Sequence, residues 1–246
     1  LNGYDRENDR IKLKIIHTYG VVKQAEELAG RMHLSPEDTD LARLIALLHD
    51  IGRFEQLKRY DSFEPGTMDH AAYGVKVLFD EGMIRRFLPD DKWDSIIYTA
   101  IAHHSDYELP EISDPQTLLH AKLIRDEDKL DNCRVKLVDS TSTFINVSEE
   151  ELGTQDITQK VYETVFENKC ILSADRVTQM DYWVSYIVYF FDINFKESFD
   201  IIAENDYLNR IIDRIPYSNP VTKEQMEYIR VYMQNFINSH TNSQSF

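Results

Sequence analysis

The dipeptide His49-Asp50 closes the apolar run Leu41–Leu48 and is followed at once by Ile51-Gly52. An imidazole and a carboxylate side by side at the end of a greasy helix are costly to bury unless something compensates. A divalent cation is the simplest compensation, because histidine nitrogen and carboxylate oxygen are the usual ligands of zinc, manganese and iron(II). Of the 8 histidines, His17, His49, His70, His103 and His104 stand in contexts that suit ligation. Asp50 and Asp128 supply carboxylates. Two divalent ions would bring about four positive charges, of which two carboxylates cancel half. The remainder attracts a phosphate, brings the pKa of a bound water towards ~7, and clamps attacking and leaving oxygens. Arg53, Arg125 and Lys129 lie close in sequence and are candidate partners for phosphate oxygens.

Helices must position these groups. Ile11, Ile15, Tyr19 and Val22 recur at helical spacing around a central His17. Ser35-Pro36 opens a helix that runs through Leu41–Leu48, with Gly52 expected as its C-terminal cap. Asp69–Phe79, Trp93–Ala102 and Thr117–Val138 read as further helices. His70 therefore starts one helix, His103-His104 end another, and Asp128 lies mid-helix. Side chains so placed can converge in a bundle core. His120 lies eight residues before Asp128, about 12 Å along a helix, too far to share an ion and better suited to packing or a pocket wall. Segment 139–143 is expected as a loop. Helices are expected around 154–168, 174–191, 195–213 and 222–238, with capping-box form at Thr222–Gln225 and a polar tail at Ser239–Ser245. Tyr182–Phe191 reads as core or dimer contact, so a homodimer stays open. The expected organisation is a core over 1–138 with a C-terminal helical extension, 139–246, packing on it as one continuous domain.

The chain has 246 residues, 42% hydrophobic and 28% charged, ordinary for a globular protein. Gly 8 and Pro 7 are few, which suits helices. The formal net charge of -16 argues against nonspecific nucleic-acid binding and against anionic membrane surfaces. Cys133 and Cys170 form no CxxC pattern and are expected as two buried, reduced thiols of a cytoplasmic protein. No signal peptide is visible, and a start at Leu rather than Met leaves room for upstream residues.

The order His17, His49-Asp50, Asp128 resembles the HD-domain superfamily of metal-dependent phosphohydrolases. The resemblance runs over about residues 10–135 and is carried by Leu-Leu-His-Asp-Ile-Gly-Arg at 47–53, Asp-His-Ala-Ala-Tyr-Gly at 69–74, Ala-Ile-Ala-His-His at 100–104 and Ile-Arg-Asp-Glu-Asp-Lys-Leu-Asp at 124–131. It implies an all-α HD-domain bundle with additional C-terminal helices. It also implies one or two divalent ions (Mn, Fe, Zn, Ni, Co or Mg). His17, His49, Asp50 and Asp128 match the defining ligand positions. His70 and His104 match the extra histidines of the two-metal branch, in which Asp50 would bridge the ions. His103 is left as an alternative ligand or a substrate contact, and Tyr107 as a pocket residue. Asp50, Arg53 and Lys129 are the expected catalytic residues. The implied activity is hydrolysis of a small phosphorylated substrate such as a nucleotide. A di-iron oxygenase on the same ligands and a noncatalytic nucleotide- or metal-sensing module are the alternatives. The Gly-Tyr-Pro signature of the cyclic-di-GMP branch and a synthetase partner domain are both missing.

Overall fold

A computed structural model describes residues 3–64 and 66–241. The described residues are helical and contain no β-strand. They divide into two compact units, one ending at Asp131 and one beginning at Asn132.

In the first unit, α1 (Asp9–Arg31) is opened by Asn8, whose side chain accepts from the Arg10 and Ile11 amides. It buries Ile11, Leu13, Val21, Ala25 and Leu28. Ser35 caps α2 (Pro36–Leu48) by accepting from the Asp38 amide, and Pro36 fits the first turn. α1 packs along α2, and α2 also meets α5 (Asp94–Ala102). Gly52 is not the cap of α2. The chain turns at Asp50 (φ -103°, ψ 19°) and immediately starts α3 (Ile51–Tyr60), a helix the spacing does not announce. Gly52 lies inside α3, where its missing side chain lets α3 touch α4 (His70–Val75): a Cβ there would lie 2.0 Å from the His70 carbonyl oxygen. Gly52→Ala is expected to destabilise by about 1–3 kcal/mol or more, because backbone rather than a flexible side chain must give way. Urea unfolding measures it.

Asp69 caps α4 through the Ala72 amide, and the expected helix to Phe79 continues past Val75 as a π-turn, Lys76–Asp80. α6 (Pro115–Val138) starts two positions before the expected Thr117, where Asp114 accepts from the Thr117 amide at 2.7 Å. Its buried residues include Leu123, Ile124 and Leu130, but also Arg125, Asp126, Glu127 and Asp131. Neither carboxyl oxygen of Glu127 has a hydrogen-bond partner. Burial, reinforced by Asp126, pushes its pKa well above the usual range. A carboxyl whose folded pKa is raised favours folding fully only below its unfolded value, and that contribution is lost as pH rises beyond it. Glu127→Met is therefore expected to raise stability at pH 7 by roughly 1–3 kcal/mol, with a smaller gain at pH 4. Thermal melts at the two pH values check this.

The second unit departs from expectation mainly in its breaks. Segment 139–143 is not a loop: α7 (Thr141–Ile145) starts after Ser140. The helix expected over 154–168 is the shorter α9 (Gln159–Val165), and a separate short helix, α8 (Glu149–Leu152), precedes that span. α10 (Gln179–Val188) is flanked by 3-10 turns at Ser173–Asp175 and Tyr189–Asp192. The span 195–213 is cut into α11 (Lys196–Glu204) and α12 (Tyr207–Asp213) at Asp206, which adopts a left-handed conformation (φ 51°). α13 (Pro220–Thr241) begins before Thr222. Its cap is Asn219, which accepts from the Val221 and Thr222 amides, while the Thr222 hydroxyl donates to the Gln155 carbonyl. The capping box occurs instead at Thr178 and Asp181. Trp183, Val184, Ile187, Val188 and Phe190 are buried, so the aromatic stripe is core. Of the polar tail, residues 242–245 lie outside the described residues. Cys133 is buried, but Cys170 is only partly so, against the expectation for both. No helix among the described residues is long and apolar enough to cross a membrane.

Candidate metal centre

Two helix ends and a corner build most of the centre. His49 follows the last residue of α2, and its Nδ1 lies 2.7 Å from the Ala46 carbonyl. His104 follows α5, and its Nδ1 lies 2.7 Å from the Ile101 carbonyl. Helix C-termini leave carbonyls without partners. A ring N–H donated to such a carbonyl fixes the tautomer and turns the Nε2 lone pair inward. His17 sits mid-helix, where no such carbonyl is open. Its Nδ1 instead meets the buried Asp131 Oδ2 at 2.7 Å. Gly20 makes room for this carboxylate, since a Cβ there would fall 1.9 Å from Asp131 Oδ1.

Asp50, 3% exposed, stands between two sets of these nitrogens. Its Oδ2 lies 3.9 Å from His17 Nε2 and 3.5 Å from His49 Nε2. Asp128 reaches the same set from α6, its Oδ1 2.9 Å from His17 Nε2 and 3.8 Å from His49 Nε2. Asp50 Oδ1 faces the other way, 3.4 Å from His70 Nε2 and 3.7 Å from His104 Nε2, and those two nitrogens are 3.1 Å apart. Ligands about 2.0–2.2 Å from one ion are separated by roughly 2.8–3.6 Å at octahedral or tetrahedral angles. The observed separations scatter around that range. His17 Nε2 and His49 Nε2 are moreover buried without any hydrogen-bond donor. Buried lone pairs converging with carboxylates are the donor set a divalent cation satisfies: His17, His49 and Asp50 can hold one ion, with Asp128 beside the two imidazoles, and Asp50, His70 and His104 can hold a second.

The electrostatics agree. Burial opposes ionisation of Asp50, but the Lys14 ammonium and His49 hold its pKa well below the carboxylate range. Burial likewise opposes ionisation of Asp128, and its contact with His17 outweighs that and holds it low. Burial would depress His49, yet the Asp50 carboxylate beside it pushes its pKa up. A field that draws a proton to His49 Nε2 draws a metal cation as well.

Residues 15–133 match the family model of the HD domain. This segment of the chain is an HD domain. HD domains bind divalent metals and are in general metal-dependent hydrolases. All six ligand candidates of this HD domain lie inside the matched segment. No curated protein and no solved structure matches the chain.

Other expected site residues of the HD domain lie elsewhere. His103 is outside both sets, with Nδ1 2.6 Å from Asp106 Oδ2. Tyr107 is exposed. Lys129 turns its ammonium back to the Arg125 carbonyl at 3.2 Å, and the ammonium on Asp50 Oδ2 is that of Lys14. Arg125 is not a phosphate partner: it is buried, and its guanidinium donates to the carbonyls of His103, His104, Asp106 and Tyr107. His120 is a packed residue paired with Asp38 at 3.2 Å. Arg53 does reach the centre, with Nε 3.7 Å from Asp50 Oδ1. A cavity of about 540 Å³, lined by Ile15, Phe54, Tyr73 and Phe87 among others, includes none of the six ligand candidates.

Sequence reasoning missed Lys14 and Asp131. Each had a signal: Lys14 precedes His17 by three positions and Asp131 follows Asp128 by three, so each shares its helix face. Asp131→Asn is expected to weaken metal binding by about 10–100-fold, because the amide no longer enforces the His17 tautomer. Metal titration of the stripped protein measures it.

Proposed function

We propose that the protein is a phosphohydrolase that cleaves a phosphate ester of a nucleotide or another small phosphorylated metabolite with a metal-activated water. The observation that carries this reading is the Asp50 carboxylate, whose two oxygens face two separate imidazole pairs. Divalent ions bound there supply Lewis acidity towards water and phosphoryl oxygen. Asp50 belongs to both sets and would be a ligand in each. His17, His49 and Asp128 hold the first position, and Asp131 orients His17. His70 and His104 hold the second. Lys14 and Arg53 place positive charge at Asp50 inside an otherwise acidic chain, suited to an anionic substrate. His103 and Tyr107 lie outside the ligand sets and are assigned to contact with the substrate.

The test is a panel of phosphomonoesters and phosphodiesters assayed with Mn, Co, Ni and Mg, run beside an oxygen electrode with ferrous iron. Metal-dependent phosphate release without oxygen uptake supports the proposal. Oxygen uptake without hydrolysis replaces it with oxygenase chemistry on the same ligands. Nucleotide binding without turnover replaces it with a sensing role.

A further inference from the structure

The two ligand sets differ in one respect. In the first, His17 Nε2 and His49 Nε2 meet no donor. Lys14 donates to Asp50 Oδ2 and lies over the Phe63 ring, and a carboxylate oxygen has lone pairs to share between an ammonium and an ion. In the second, the His70 lone pair is already engaged: Arg53 Nη2 stands 3.0 Å from His70 Nε2. An ion bound by His70 sits about 2.0–2.1 Å from that nitrogen. A guanidinium nitrogen 3.0 Å from the same lone pair leaves no room for it.

Arg53 is held there. Its Nη1 donates to Gln56 Oε1 at 2.6 Å. Gln56 is fully buried, and its amide nitrogen donates to the Glu64 carbonyl at 3.0 Å and to Thr67 Oγ1 at 2.7 Å. Both donors of the Gln56 amide are therefore spent on Glu64 and Thr67, and its oxygen is fixed facing Arg53.

We propose that Arg53, clamped by Gln56 against His70, is a resident cation that competes with the second divalent ion for the Asp50–His70–His104 set. The centre then loads one ion tightly at His17, His49, Asp50 and Asp128. A second enters only when Arg53 swings out. The inference rests on the metal-centre reading of these six residues and assigns Arg53 a positioning role beyond charge neutralisation. It also supplies a route for control: an anionic substrate that draws Arg53 onto its own oxygens opens the second set.

The test is titration of the metal-stripped full chain with Mn(II) alone, read by equilibrium dialysis with elemental analysis and by electron paramagnetic resonance. Wild type is compared with Arg53→Met and Arg53→Gln, two neutral side chains of different polarity, each checked for helicity by circular dichroism. Wild type is expected to hold one tight Mn(II) per chain with an uncoupled signal. At least one folded variant is expected to bind a second ion at least about tenfold more tightly than wild type does, with a spin-coupled signal. Two ions of similar affinity in wild type, or a single ion in both variants, overturns the role of Arg53 and leaves the metal centre standing. No bound ion in any of the three proteins overturns both.

Discussion

Asp50→Asn is expected to remove bound metal from both ligand sets and to lower turnover by at least about 10³-fold. The size follows from position. Asp50 is the one carboxylate common to the two candidate ligand groups, and its oxygens face different imidazole pairs. An amide of the same shape keeps the packing and loses the charge. The change also strands a cation: Lys14, largely buried, has its ammonium against Asp50 Oδ2. Leaving a buried charge without its partner costs about 3–5 kcal/mol at most, and less here because the amide oxygen still accepts. The double variant Asp50→Asn with Lys14→Met is therefore expected to regain stability without regaining metal. Elemental analysis, a hydrolysis assay and thermal melts on the two proteins separate the effects. Retained metal or full activity in Asp50→Asn would remove Asp50 from the centre.

Arg125→Ala is expected to destabilise the fold by about 3 kcal/mol or more, the largest structural effect among the charged residues of this unit. Arg125 is 2% exposed and ties four successive or nearby carbonyls, those of His103, His104, Asp106 and Tyr107, to α6. Without it the segment after α5 loses the contact that fixes where His104 points. Urea unfolding gives the stability change. Because the alanine also leaves a cavity, Arg125→Lys serves as the control: it restores charge but not the multiple donors, and is expected to recover only part of the loss.

Much of the candidate centre was legible because its candidate ligands sit where helix periodicity and chain punctuation speak. His49 and His104 end apolar helical runs, and their tautomers are set by carbonyls three residues back, a local relation. The six-residue text around His70 starts with its own cap, Asp69. What could not be read depends on contacts across the chain. The carboxylate that orients His17 is 114 residues away, and it fits only because Gly20 lacks a side chain. Arg125 looks like a phosphate ligand in sequence, since nothing local reveals that loop carbonyls will converge on it. α3 escaped notice because Gly52 reads as a stop, whereas its real office is the close approach of α4. In the second unit the long expected helices are cut where a single residue such as Asp206 takes a left-handed turn, a choice that periodic apolar spacing does not encode.

The most direct test is anomalous X-ray scattering from crystals grown with Mn(II). The account predicts a manganese peak with His17 Nε2, His49 Nε2 and oxygens of Asp50 and Asp128 each about 2.0–2.3 Å away. The absence of any peak among these four side chains, at saturating Mn(II), would contradict it.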